Sequence, residues 1–435
     1  MHLLRKLAYS SGALASAVVA QAFSTYVIFF YVDTLKMPAK LIGLGMALYG
    51  VWNAINDPLA GHISDRTRTR WGRRIPYMLF GSLPLAVAFA LVWMPPLRFV
   101  GDNEVLLFAY FIAIIFLFDT LYTFVILNWT SLFPEMFISL KERTQVSAFR
   151  QLFGIFGLIV GIAAPPLVYG SLGWPAMGAI FAAVTAAFLY LSVWGARERG
   201  AEAVGEPLPF RSALRYTFAN RSFLTYVLAS FLVQFTFVTL TATLPFYAKY
   251  VLRIDEGQTS LLFLSVFLTA LVFLALWSRV TVRLGARKAM MMSVILFGAA
   301  LTPFWLASSF AAGVATGALV GIGLAGIMLL LDILISDVID EDELRTGTRR
   351  EGMYFGVNGF VIRLGISLQA VVMSVILDST GYDPNLVVQP PSAITGLRLL
   401  VTAVPLAALV VSLLALYFYP LHGERLKAVK AAREG

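Results

Sequence analysis

Long apolar runs alternate along this chain with short polar stretches, and the runs have the length of membrane-spanning helices. About 20 mostly apolar residues cross a bilayer as an α-helix, and twelve such runs can be marked in the 435 residues. In the first half they cover Leu7 to Val32, Ala39 to Ile63, Tyr77 to Met94, Val105 to Leu132, Gln145 to Val168 and Pro175 to Trp194. In the second half they cover Ser222 to Lys249, Ser260 to Ser278, Ala289 to Ala307, Ala311 to Val338, Gly352 to Leu377 and Thr395 to Tyr419. The first run is too long for the core of a signal peptide and reads as a spanning helix. The pattern predicts an all-α polytopic membrane protein with twelve transmembrane helices in two six-helix bundles.

Composition agrees. Hydrophobic residues make up 59% and charged residues 13% of the chain, against roughly half and a quarter in soluble domains. The absence of cysteine excludes disulfides, thiolate metal sites and a Cys nucleophile. With three histidines, two of them (His2 and His422) near the chain ends, a His-built metal or catalytic centre is not expected. Nothing resembles an enzyme's nucleophile, metal or acid and base pair, and no cofactor is expected beyond a coupling ion, H+ or Na+. The formal charge of +9 does not indicate nucleic acid, because the basic residues are dispersed in short clusters between apolar runs.

Those clusters orient the chain. With both termini inside, 25 of the 33 Lys and Arg residues fall on the inner side, as the positive-inside rule requires of cytoplasmic loops. The longest internal polar stretch, 197–221, contains Gly200, Gly205, Pro207 and Pro209 and reads as a cytoplasmic linker. It divides an N-terminal bundle, 1–196, from a C-terminal bundle and tail, 222–435. The halves also repeat. SDRTRTRWGRR from Ser64 is matched after the eighth run by SRVTVRLGARK from Ser278, and PEMFISLKERT from Pro134 by DVIDEDELRTGTRREG from Asp337. Parallel repeats of six helices are an arrangement of two-bundle transporters.

An ionisable residue within a spanning helix costs at least about 2.5 to 3.5 kcal/mol at the centre, so each one needs a reason. In WNAINDP, Asn53 and Asp57 share a helix face with Asn56 beside them, which suits a proton or a small cation; the alternative is a polar cluster that only bonds neighbouring helices. Asp119 lies near the middle of the fourth run, one turn before Tyr122 and Thr123. Arg150 is near the inner end of the fifth run, where it can snorkel, pair with Asp57 or bind substrate. Asp332 and Arg363 form a candidate structural or gating pair, with Arg363 also a candidate substrate contact, and Asp337 lies near the inner membrane surface. In GHISDRTRTRWGRR, Gly61 is expected to allow close helix approach. Asp65 with Arg66, Arg73 and Arg74 is expected to control conformational switching, together with Glu135 and Arg143 in the equivalent loop after the fourth run.

GxxxD followed by basic residues resembles the signature of the major facilitator superfamily. WNAINDPLAGHISDRTRTRWGRR, PEMFISLKERT and DEDELRTGTRREGMYFGVNGFVIRLG are similar to the glycoside, pentoside and hexuronide cation symporter family, which includes melibiose permease and shares its pattern with animal lysolipid transporters. The resemblance covers all twelve runs. It implies alternating access, a substrate between the bundles, and a cation site on helices 2 and 4 formed here by Asn53, Asn56, Asp57 and Thr123. Asn53 replaces one of two acidic residues of that motif, which favours a proton over sodium. The family's acidic sugar ligands on helices 1 and 4 fall on Ala17 and Ile126, against melibiose-like galactoside recognition. Substrate contacts are then expected from Asp119, Tyr122, Trp129, Arg150 and Arg363.

The expected protein is a cation-coupled carrier of a sugar or glycoside in the inner or plasma membrane, with the bilayer and a small molecule as partners and the monomer as functional unit. A lysolipid or amphiphile carrier is the alternative within transport, and a receptor or scaffold without transport is the alternative of another class. The topology is directly testable: a cysteine introduced at Gly205 is protected from an impermeant thiol reagent in intact cells and labelled after lysis, and labelling in intact cells reverses the orientation.

Overall fold

In the computed structural model of the chain, residues 2–101, 103–137, 140–198, 220–346 and 351–434 are described. Residues 199–219 of the expected linker lie outside them. The chain divides into two compact units, Met1–Glu202 and Ala203–Gly435. Unit 1 holds α1 (Leu3–Thr34), α2 (Ala39–Arg66), α3 (Ile75–Val92), α4 (Glu104–Met136), α5 (Leu140–Ala163) and α6 (Pro165–Gly195). Unit 2 holds α7 (Arg221–Leu252), α8 (Glu256–Leu284), α9 (Ala286–Trp305), α10 (Phe310–Thr346), α11 (Glu351–Ser379), α12 (Pro391–Tyr417) and a short tail helix, α13 (Gly423–Glu434).

Eleven helices among the described residues are long and apolar enough to cross a membrane, and α2 is not one of them. Its 28 residues would span a bilayer at 1.5 Å per residue, but Asn53, Asn56, Asp57, His62 and Asp65 dilute the apolar character. The polarity is one-sided. Leu44, Leu48, Val51, Ile55 and Leu59 are exposed at helical spacing, whereas Tyr49, Asn53, Asn56 and Ala60 are buried. Such a helix presents hydrocarbon to lipid and polar groups to its own bundle.

Local chemistry sets several helix starts. Asn103 accepts from the Val105 and Leu106 amides ahead of α4, Asn220 caps α7, and Asp255 with Gln258 forms a capping box at α8. At one junction the structure departs from the pattern of runs. The fifth run extends to Val168 and the sixth begins at Pro175, but α5 ends at Ala163 and α6 starts at Pro165. Proline has no N–H with which to continue α5, yet suits the first turn of a new helix. The sixth helix then bends at Gly173, whose φ of 83° lies in the region that favours glycine.

Each unit repeats the other's internal packing. In unit 1, α1 packs on α5 and α6, α3 on α4 and α6, and α2 on α4; in unit 2, α7 packs on α11 and α12, α9 on α10 and α12, and α8 on α10. Both α1 and α7 close with a five-residue π-turn, Phe30–Thr34 and Ala248–Leu252. Lys36 and Arg253, which follow these turns, are the non-glycine residues with positive φ among the described residues.

Glycine has different work at different crossings. A Cβ on Gly157 would lie 2.6 Å from the Leu14 carbonyl oxygen and one on Gly161 2.7 Å from that of Val18, so α1 and α5 approach closely because these side chains are absent. Gly61 is otherwise. A Cβ there would meet Leu127 Cδ2 at 3.7 Å, an ordinary contact, so its expected role in close approach is not required by the packing of unit 1. Gly157→Leu is expected to destabilise the protein by about 1 to 3 kcal/mol or more through overpacking. Gly61→Ala should leave stability unchanged or raise it by up to about 1 kcal/mol. Unfolding midpoints of the purified variants in detergent check both.

Candidate functional site

The polar face of α2 meets α4 in two rungs one helical turn apart. On α2, Tyr49, Asn53, Asn56 and Asp57 lie at i, i+4, i+7 and i+8; on α4, Asp119 and Thr123 lie at i and i+4. In the first rung the buried Asp119 carboxylate accepts from Asn53 Nδ2 at 2.7 Å and the Tyr49 hydroxyl at 3.0 Å on Oδ1, and from Asn56 Nδ2 at 3.0 Å on Oδ2. Asn56 Nδ2 also donates to the Asp119 backbone oxygen at 3.2 Å. In the second rung Thr123 Oγ1 donates to Asp57 Oδ1 at 3.0 Å. Beside them Trp52 Nε1 donates to Thr120 Oγ1 at 3.2 Å. The four residues expected at the cation site are thus together, and Asp119, expected to contact substrate, shares a rung with their amides.

The other expected substrate residues of unit 1 form a second group. Trp129 Nε1 donates to the Tyr9 carbonyl at 3.0 Å, and the Tyr9 hydroxyl donates back to the Trp129 carbonyl at 2.6 Å. This reciprocal clamp fixes α4 against α1, and Ser192 Oγ of α6 donates to the same Tyr9 carbonyl at 2.8 Å. The fixed indole becomes a platform. The Arg150 guanidinium lies 4.4 Å from the Trp129 ring centroid and 4.8 Å from that of Phe133, a cation–π arrangement that compensates charge where solvation is poor. Tyr122 shares a hydrogen bond of 2.8 Å with Ser16.

The loop between α2 and α3 is tied to its own unit. Arg73 Nη2 pairs with Glu135 Oε1 at 2.8 Å, and Arg74 Nε lies 3.6 Å from the same oxygen. Buried Arg74 also donates through Nη1 to Ser64 Oγ at 2.9 Å and Asn128 Oδ1 at 3.3 Å. Arg143 Nε donates to the Phe137 carbonyl at 2.6 Å, while Arg66 is exposed. The Asp65 side chain lies outside the described residues. Glu198, just past α6, accepts from the backbone amides of Arg73 at 2.7 Å and Arg74 at 2.9 Å, placing a carboxylate at the positive end of α3.

In unit 2, Asp332 is exposed and Arg363 half-buried. Buried Asp337 lies 3.6 Å from Lys430 Nζ, and buried Glu341 accepts from Arg425 Nε at 2.9 Å, so the tail helix α13 carries the cations that face the end of α10. Arg287 donates to the Leu416 and Tyr417 carbonyls at the end of α12. The start of the third helix of each unit is therefore tied to the end of that unit's sixth helix, through Glu198 in one and Arg287 in the other.

Sequence reasoning missed Tyr9, Tyr49, Asn128, Glu198 and the tail cations. Only Tyr49 carried a signal, lying one turn before Asn53 on the same face. The others depend on partners far away in the chain.

A family model described as MFS/sugar transport protein matches residues 8–423. The chain is 26% identical to the isoprimeverose transporter of Lactiplantibacillus pentosus, over 95% of this chain and 88% of that one. It is 23% identical to the sodium-dependent lysophosphatidylcholine symporter 1-A of Danio rerio, over 97% and 86%. The solved nucleoside transporter NupG shares the fold, with a TM-score of 0.67 at 14% identity over 96% of this chain and 100% of that one.

The Glu198 cap makes its own prediction. Glu198→Ala should cost about 1 kcal/mol, the usual loss on removing a helix cap, and Glu198→Gln, which keeps an acceptor but loses the charge, should cost less. Thermal unfolding of the two variants beside the parent measures the difference.

Proposed function

Since the chain belongs to the MFS/sugar transport protein family, we propose that it is a cation-coupled symporter of a sugar or glycoside that works by alternating access. Membership makes it a multi-pass membrane transporter. The finer reading rests on one observation: two carboxylates, Asp57 and Asp119, are held with amide and hydroxyl groups between α2 and α4. Acidic groups cost several kcal/mol inside a bilayer, and a helix pair needing only adhesion would be better served by small residues and neutral hydrogen bonds. A polar site that binds and releases a cation justifies that cost.

The isoprimeverose transporter among the relatives supports a glycoside as cargo. An amphiphile is the second reading, supported by the lysophosphatidylcholine symporter and by the apolar Ala17 and Ile126. Ala17 has a packing reason of its own, since its Cβ lies 2.8 Å from where a Cβ on Gly157 would stand. The charge of the basic loops supports a cytoplasmic side for both termini, and the proposed location is the inner or plasma membrane.

Asp57→Asn is expected to retain substrate exchange in proteoliposomes while losing accumulation driven by an imposed pH or sodium gradient, because the neutral amide no longer changes charge with the coupling ion. A panel of glycosides and lysophosphatidylcholine, screened for thermal stabilisation of the purified protein, identifies the cargo. Undiminished gradient-driven accumulation by Asp57→Asn removes coupling from this site, and stabilisation by the lysolipid alone replaces the sugar reading.

A further inference from the structure

Exposed aliphatic side chains are expected along the helix faces that a membrane protein turns to lipid, but three of them stand together outside any helix. Between α11 and α12, Leu386, Val387 and Val388 are 45%, 92% and 69% exposed. Clustered apolar side chains on a surface mark a place that meets a membrane or a partner. From Asn385 to Leu397 the chain carries no ionisable residue, so no charge within this segment holds it in water.

The loop that carries them is closed by its own polar groups. Gln389 is buried. Its Oε1 accepts from the Asp383 amide at 3.0 Å, and its Nε2 donates to the carbonyls of Asp383 at 2.6 Å and Leu386 at 3.0 Å. The Asp383 carboxylate accepts from the Asn385 amide at 2.9 Å and from Asn385 Nδ2 at 3.1 Å, while the Leu386 amide donates to the Asp383 carbonyl at 3.1 Å. Gln389 thus does for the base of this loop what water does for an open one. Unmatched backbone groups are what keep an irregular segment out of an apolar phase, and here several of them are matched from within while the aliphatic tip is left outside.

The surroundings set the depth of the tip. The first part of α12, Pro391–Val401, packs on the Thr302–Trp305 turn that ends α9, where Trp305 and Leu306 are exposed. Tryptophan is enriched where hydrocarbon gives way to headgroups. Tyr247 fixes this turn to α7, its hydroxyl donating to the Ala307 carbonyl at 3.1 Å. From the same place the exposed face of α12 leads into the span, with Thr395, Ala403, Ala407, Val410 and Leu414 at helical spacing. The loop therefore adjoins the surface that unit 2 turns to lipid, at the end of the unit opposite the tail helix.

We infer that the 380–390 loop is a membrane anchor: Leu386, Val387 and Val388 enter the interfacial layer of the bilayer, and Gln389 keeps the loop closed so that they can. Lipid is the partner rather than a soluble protein or a second copy of the chain. The tip is continuous with the lipid-facing side of α12, and it has no charge with which to select a protein surface. The anchor holds the joined ends of α11 and α12 at headgroup depth, whichever cargo the protein carries.

The chain's lack of cysteine permits a direct test. Val387→Cys is labelled with bimane, and the protein is placed in lipid nanodiscs holding one molecule each, with both faces open to solvent. Glu256→Cys, at an exposed acidic position on the α7–α8 turn at the same end of unit 2, is the reference. Lipid carrying a nitroxide close to the headgroup should quench the Val387 label about threefold or more above the reference, and aqueous iodide should quench it about threefold less. Adding Gln389→Ala should lower the lipid quenching and raise the iodide quenching of the Val387 label by about twofold, because the opened loop must turn its backbone to water. Three results overturn the inference: iodide quenching equal to the reference with no response to nitroxide lipid, protection from both quenchers, which signals contact with protein, or quenching that Gln389→Ala leaves unchanged.

Discussion

A carboxylate buried in a membrane-spanning bundle must be met by donors, and the way Asp119 is met organises the polar interior of unit 1. Its partners include the hydroxyl of Tyr49 and the amide nitrogens of Asn53 and Asn56, which come from α2. Lipid offers no substitute for these bonds. The α2–α4 pair is therefore held at one rotation and one depth, and the second rung, Asp57 with Thr123, follows from the first by a single helical turn. The apolar exterior of α2 is the other half of the same constraint: a helix that commits one face to polar groups must present hydrocarbon on the other.

The rest of unit 1 supports this pair from three sides. Glycines at 157 and 161 let α5 lie against α1, the Tyr9 and Trp129 clamp fixes α1 to α4, and Arg74 ties the C-terminal end of α2 to α4 through Ser64, Asn128 and Glu135. These contacts join helices by directional bonds and close packing, which are the means available where water is absent. Arg150 over Trp129 and Phe133 belongs to the same logic, with ring faces taking the place of solvent around the cation.

Unit 2 repeats the packing of unit 1 without repeating its chemistry. The same five helix pairs meet, but the buried acids described in unit 2, Asp337, Glu341 and Asp342, collect at one end of α10, where Lys430 of the tail helix faces Asp337 and Arg425 faces Glu341. Duplicated helices preserve packing because side-chain volume and backbone distance constrain every crossing. Charge placement is freer to diverge, since a few residues can change without altering how the helices fit.

The sequence by itself determined the twelve spans, the two halves and the α2 motif. Apolar length reports a helix that must satisfy its backbone within lipid, and a helical period of 3.6 residues puts Asn53 and Asp57 on one face without reference to any other helix. It also marked Asp119 and Arg150 as polar groups that need partners. Tertiary structure alone decided which partners they have. Asp119 meets residues 63 to 70 positions earlier in the chain, and Glu198 reaches amides 124 and 125 positions away, separations at which no local periodicity carries information. Gly61 and Gly157 look alike in sequence, yet only Gly157 has a neighbouring backbone against it. Helix periodicity fixes the face a residue occupies, whereas rotation and depth between helices depend on packing summed over the whole bundle.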